Sequence, residues 1–205
     1  MLKDIRLMAI IREVDLDSVN EIAAVLLEEG IDGLEVSLSD PENGFECIRR
    51  IQEAFADRKF YLGAGTVTKK GEVDCLVDMG ISFILTPGYD DVLVAYALEK
   101  KLEVLPGVLT PSEVLCAVNR GITLLKLFPA DAFSLSYIKS LKGPFPQTNY
   151  IAVGGVNQEN ITRFFDQGFT GVAVGSNLVP RGATIRDVEE IARKAKIYVE
   201  YTRRR

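Results

Sequence analysis

Eight short apolar runs punctuate the chain, and their recurrence constrains the fold more than any other feature. They read LMAIIR (7–12), GLEVSL (33–38), YLGAGTV (61–67), FILTPG (83–88), EVLPGVL (103–109), LLKLFPA (124–130), YIAVGGV (150–156) and GVAVGS (171–176). Their starts lie 20 to 28 residues apart, which leaves room in each interval for one helix and two short loops. Near-continuous runs of Val, Ile, Leu and Phe are the pattern of parallel strands covered on both faces. Eight βα units close a cylinder, so the chain is expected to form a single α/β domain, a (β/α)8 TIM barrel over residues 1–205, at the small end of that architecture. An open doubly wound sheet is the alternative. The count of eight and the glycines that close the last two runs favour the barrel.

The intervals carry helix punctuation. Asp40-Pro41 sets a capping carboxylate before a first-turn proline, and Thr110-Pro111-Ser112-Glu113 has the order of a capping box. Between Asp15 and Glu29, Val19, Ile22, Ala23, Leu26 and Leu27 fall on one helical face, and Gly30 follows as the stop. No linker, low-complexity tract or compositional break divides the 205 residues, of which 47% are hydrophobic, enough for one sizeable core.

Several function classes drop out. With 24 Lys and Arg against 29 Asp and Glu, the net charge is −5, so no broad cationic surface is available for nucleic acid; Arg203-Arg204-Arg205 reads as a basic helix end. The apolar run Leu7–Ile11 is cut off by Arg12 and Glu13, and no segment has the length of a membrane span, so a cytoplasmic protein is expected. Three cysteines, Cys47, Cys75 and Cys116, are odd in number and far apart, which argues against disulfides and zinc sites; buried packing is the expected role. Histidine is absent altogether, which removes Ser-His and Cys-His nucleophilic systems.

Charges inside two of the strands are the main chemical signal. Side chains alternate along a strand, so Leu125 and Leu127 face the helices while Lys126 points into the barrel with Leu124 and Phe128. By the same parity Leu34, Val36 and Leu38 face outward, and Glu35 and Ser37 inward. Arg12 closes the first run. A structural ion pair is one reading of these charges, although desolvation makes an interior pair a poor stability device. The other is functional: an amine stripped of water and set near another cation loses its proton, and a neutral amine attacks a carbonyl carbon. A nearby carboxyl then moves the protons.

Glycines supply a second signal. The seventh run ends in Gly154-Gly155 and the eighth in Gly175-Ser176, where barrels often hold phosphate on backbone N–H groups. Thr66 ends the third run and Pro87 the fourth. Only convergence on one barrel mouth would give any of these meaning.

In that order, LEVSL, GAGTV, TPG, LPGVLTPSE, LKLFPA, KGPFP, AVGGV and VGSNLV resemble the KDPG aldolase family, which acts on 2-dehydro-3-deoxy-phosphogluconate, with relatives for 4-hydroxy-2-oxoglutarate and the galactonate epimer. The resemblance spans nearly the whole chain. It implies a class I aldolase on a (β/α)8 barrel, usually a homotrimer, needing no metal or other cofactor, with a phosphorylated keto sugar acid as substrate and pyruvate as product. By position it makes Lys126 the Schiff-base former and Glu35 the general acid/base. Thr66 matches a residue that helps hold the pyruvyl carboxylate, Pro87 and Phe128 match pocket positions, and Gly154, Gly155, Gly175 and Ser176 match the phosphate cradle. Two departures stand out. Ser39 occupies a place where some members have a carboxylate-binding arginine, which shifts that role to Arg12; and Val153 replaces a threonine common in gluconate-specific members, as in galactonate-type ones. Cleavage of the phosphogluconate substrate to pyruvate and D-glyceraldehyde 3-phosphate is the first expectation, with cleavage of 4-hydroxy-2-oxoglutarate to pyruvate and glyoxylate beside it, and the phosphogalactonate epimer, or a non-aldolase phosphate-binding barrel, as alternatives.

Overall fold

The computed structural model describes residues 2–31, 33–134 and 136–203. Nine parallel strand segments form one sheet: β1 (Leu7–Ile11), β2 (Gly33–Ser37), β3 (Tyr61–Gly65), β4 (Phe83–Leu85), β5 (Glu103–Leu105), β6 (Gly107–Val108), β7 (Leu124–Leu127), β8 (Asn149–Val153) and β9 (Gly171–Val174). The order is β5-β4-β3-β2-β1-β9-β8-β7-β6. Segments β5 and β6 are the two halves of one strand, interrupted where Pro106 has no N–H to give the ladder. Because β5 pairs with β4 and β6 with β7, that divided strand closes the sheet into a barrel. All eight expected strands are present, the seventh and eighth being β8 and β9.

Each barrel strand is followed by a helix: α1 (Val19–Glu28), α2 (Pro41–Ala54), α3 (Lys70–Asp78), α4 (Asp91–Glu99), α5 (Pro111–Asn119), α6 (Tyr137–Lys142), α7 (Ile161–Asp166) and α8 (Val188–Arg203). The caps fall where the sequence places them. Asp40 accepts from the Asn43 N–H at 3.2 Å, and Thr110 and Glu113 form the reciprocal box that opens α5. After α1, Gly30 turns the chain at φ +98°, a conformation that L side chains resist. The C-terminal residues Arg204 and Arg205, and the ends of the expected 1–205 span, lie outside the described residues.

The core has two layers, as the alternation of strand side chains requires. Leu34, Val36, Leu125 and Leu127 pack outward against α1, α2 and their neighbours, whereas Met8, Ile10, Phe83, Leu85, Leu105, Ile151, Val153 and Ala173 fill the interior. The helical turn Leu2–Asp4 plugs the lower end, with Leu2 and Ile5 joining the interior cluster. The cysteines depart from expectation: Cys47 is buried in α2, its thiol pushed up to about 12 by desolvation, but Cys75 and Cys116 are exposed. Their helices bury Val73 and Leu76, and Val114 and Ala117, on the opposite stripe. Among the described residues no helix is long and apolar enough to cross a membrane.

Candidate active site

Lys126 and Glu35 enter the barrel interior from β7 and β2, only 5% and 1% exposed. Lys126 stands in register between Gly107 and Ile151, and Glu35 between Ile10 and Gly63. Room for the carboxyl comes from β3. A Cβ built on Gly65 would lie 1.7 Å from Glu35 Oε1, so the glutamate fills the volume that a side chain at 65 would take. Lys126 Nζ sits 4.9 Å from the centre of the Phe128 ring.

The two groups share an environment that disfavours charge. Burial holds the Glu35 carboxyl above the ordinary carboxylate range, against the opposing pull of Lys126 and then Arg12. Burial likewise pushes the Lys126 amine below its ordinary value; Glu35 opposes that shift and Arg12 reinforces it. Both displacements run in the direction of the uncharged pair. Glu35 Oε2 is buried without a hydrogen-bond partner.

A polar network surrounds the rim next to this pair. Arg12 donates Nε to Ser37 Oγ at 3.3 Å, and the hydroxyls of Ser37 and Thr66 meet at 3.0 Å. Ser37 also reaches Ser39 at 3.2 Å, and Ser39 donates to Glu13 at 2.9 Å. Arg181, in the loop after β9, donates two bonds of 2.7 Å to the same carboxylate, and with Ser39 holds Glu13 below the usual range. Thr66 adopts φ +61° and Glu13 φ +50°. Positive φ is strained for a β-branched residue, and such strain collects at functional sites.

Beside the network opens a pocket of about 240 Å³. It brings together Arg12, Phe128, Val153, Gly154, Gly155, Gly175 and Ser176, with Ile10, Val156, Ala173, Asn177 and Val179 completing the wall. Gly155 is required: at φ +71° a Cβ would also lie 2.2 Å from the side chain of Asp131. Lys126 and Glu35 lie buried within the barrel, and Thr66 joins the pocket residue Arg12 through Ser37. Pro87 is not part of the pocket wall; it is exposed, with its carbonyl against Gly107. The neighbouring Thr86 is buried, donating to the Gly88 carbonyl at 2.7 Å and accepting from Gly107 at 3.2 Å.

Ser37 and Gly65 escape a reading based on charge alone. A signal for Gly65 exists in YLGAG, where Gly63 and Gly65 share the inward parity, leaving an empty face on the third strand.

A parallel barrel with a buried lysine and a buried glutamate inside it, next to a glycine-walled pocket at the C-terminal ends of its strands, defines a carbon–carbon lyase of the barrel aldolase class. The family model "KDPG and KHG aldolase" matches residues 1–194, and the chain belongs to that family. The 2-dehydro-3-deoxy-6-phosphogalactonate aldolase of Escherichia coli K12 is 35% identical over 195 residues, covering 95% of this chain and 93% of that protein. The 2-dehydro-3-deoxy-phosphogluconate aldolase of Pseudomonas aeruginosa PAO1 is 31% identical over 179 residues, 85% of this chain and 80% of that one. Among solved structures, a native KDPGal structure superposes with a TM-score of 0.88 at 34% identity, covering 97% of this chain and 94% of the other.

Proposed function

We propose that this aldolase cleaves a 2-keto-3-deoxy-6-phospho sugar acid to pyruvate and glyceraldehyde 3-phosphate through a Schiff base on Lys126. The observation that carries the reading is the juxtaposition inside the barrel of a desolvated lysine and a desolvated glutamate whose pKa values are displaced toward the neutral pair. In the proposed course, the Lys126 lone pair attacks the C2 ketone. Glu35, by way of water, gives the proton that lets the carbinolamine oxygen leave as water, and becomes a carboxylate beside the iminium cation. That carboxylate then takes the C4 hydroxyl proton, the C3–C4 bond breaks, and its electrons pass to the iminium to form an enamine and free aldehyde. The proton returns to C3, water hydrolyses the imine, and pyruvate departs.

Arg12 and Thr66 are assigned to the carboxylate, and the amides at Gly154, Gly155, Gly175 and Ser176 to the distal phosphate, so that both ends of the substrate position the reacting carbons. Phe128 covers the amine. Pro87, exposed at the end of β4 with its carbonyl against Gly107, is assigned with Phe128 to the lining of the mouth.

Between epimers we favour phosphogalactonate over the phosphogluconate substrate expected first from the sequence. Two observations support the choice: the more similar of the two relatives above acts, by its name, on the galactonate compound, and Val153 puts a methyl where gluconate-specific members carry a hydroxyl. The family habit makes a homotrimer the assembly we propose, which native mass measurement checks. Pyruvate release from each epimer, measured side by side, tests the substrate. Faster cleavage of the galactonate compound supports the reading, and faster cleavage of the gluconate compound reverses it.

A further inference from the structure

Ser37 has no charge and no place among the groups that react, yet it is the most connected hydroxyl at the mouth. It is 1% exposed and sits on β2 with the same inward parity as Glu35. Its Oγ meets Arg12 Nε, the Thr66 hydroxyl, the Ser39 hydroxyl and the Ser39 N–H at 3.3, 3.0, 3.2 and 3.3 Å. The two groups assigned to the substrate carboxylate thus follow different strands, β1 and β3, and share one anchor. We infer that Ser37 is a positioning residue that fixes Arg12 and Thr66 relative to each other as a single carboxylate receptor and supplies the proton that lets Thr66 act as a donor; this rests on the carboxylate assignment above.

Proton counting carries the second half. A hydroxyl has one proton and two lone pairs. Glu13, gripped by Arg181, only accepts, so the Ser39 proton is committed to it at 2.9 Å. The Arg12 Nε–H and the Ser39 N–H fill the two lone pairs of Ser37 Oγ, so its single proton serves either Ser39 Oγ at 3.2 Å or Thr66 Oγ1 at 3.0 Å. When a keto acid enters, the Ser37 proton bonds Thr66 and the threonine's own proton bonds the carboxylate.

Ser37→Ala removes the anchor and the exchangeable proton; Ser37→Thr restores both. The test is the concentration dependence of borohydride inactivation by pyruvate, and by its neutral amide, for wild type and the two variants. Ser37→Ala should raise the half-saturating pyruvate concentration about 10-fold, the size of one hydrogen bond to a charged group, while the saturating inactivation rate changes far less. Ser37→Thr should return the value to within about twofold of wild type, and the amide should show no such separation. If Ser37→Ala destabilises the fold, Ser37→Cys, similar in volume and a poor hydrogen-bonding partner, carries the same comparison. Unchanged pyruvate dependence in Ser37→Ala, an equal loss for pyruvate and the amide, or no rescue by threonine overturns the inference. Absence of any pyruvate adduct in the wild type is a different result, which overturns the Schiff-base reading itself.

Discussion

Substitution of Gly65 by alanine tests whether the position of the Glu35 carboxyl matters to the chemistry. The added Cβ would stand 1.7 Å from Oε1, 2.3 Å from Cδ and 2.7 Å from Cγ of Glu35. Because Cβ contacts under 3.0 Å essentially do not occur, Oε1 must retreat by about 1.3 Å, or the β2–β3 pairing at Ser37 and Gly65 must open. Overpacking of this kind costs about 1–3 kcal/mol of stability, which leaves a domain of this size folded. Catalysis is more sensitive, since a misplacement of about 1 Å costs about 100-fold in rate. Gly71→Ala is the control, because nothing lies within 4 Å of a Cβ there. The assay is steady-state pyruvate release, with circular dichroism melts of all three proteins. Gly65→Ala is expected to melt cooperatively and to lose about 100-fold in kcat, with Gly71→Ala unchanged. A Gly65→Ala enzyme that folds and turns over at the wild-type rate refutes the placement of Glu35 in the reaction.

Three further outcomes are expected. Glu35→Gln should gain stability relative to wild type as pH rises: with the folded pKa above the unfolded one, the native state binds the extra proton, so the wild type loses stability from the unfolded value of about 4.5 upward through the raised folded value, and the variant does not; equal melting points from pH 4 to 8 would contradict the burial argument. Adduct formation with pyruvate should persist well below pH 10, because burial lowers the Lys126 pKa, whereas a tenfold loss per pH unit below 10 would mark an ordinary lysine. Thr110→Ala should remove the N-cap of α5, costing about 1 kcal/mol and lowering the melting midpoint by about 2–4 °C with kcat untouched.

The barrel was legible because each strand announces itself as a contiguous apolar run and because parity separates helix-facing leucines from inward charges; Lys126 and Glu35 follow from that rule alone. The break at Pro106 was harder, since a proline inside EVLPGVL leaves open whether one strand continues or two segments meet. The rim network was not legible. It depends on positive φ at Glu13 and Thr66, which no residue type there announces, and on contacts across 25 to 168 residues of sequence. The cysteines misled because residue type predicts burial only on average; Cys75 and Cys116 lie off the buried stripe of their helices.

Covalent capture of the keto acid at residue 126 is the decisive measurement. Wild-type enzyme incubated with pyruvate and reduced with borohydride should gain one pyruvate-derived adduct per chain, located by peptide mass mapping on Lys126, with activity lost in proportion. A protein that gains none, or that carries the label on another lysine while remaining active, contradicts the central claim.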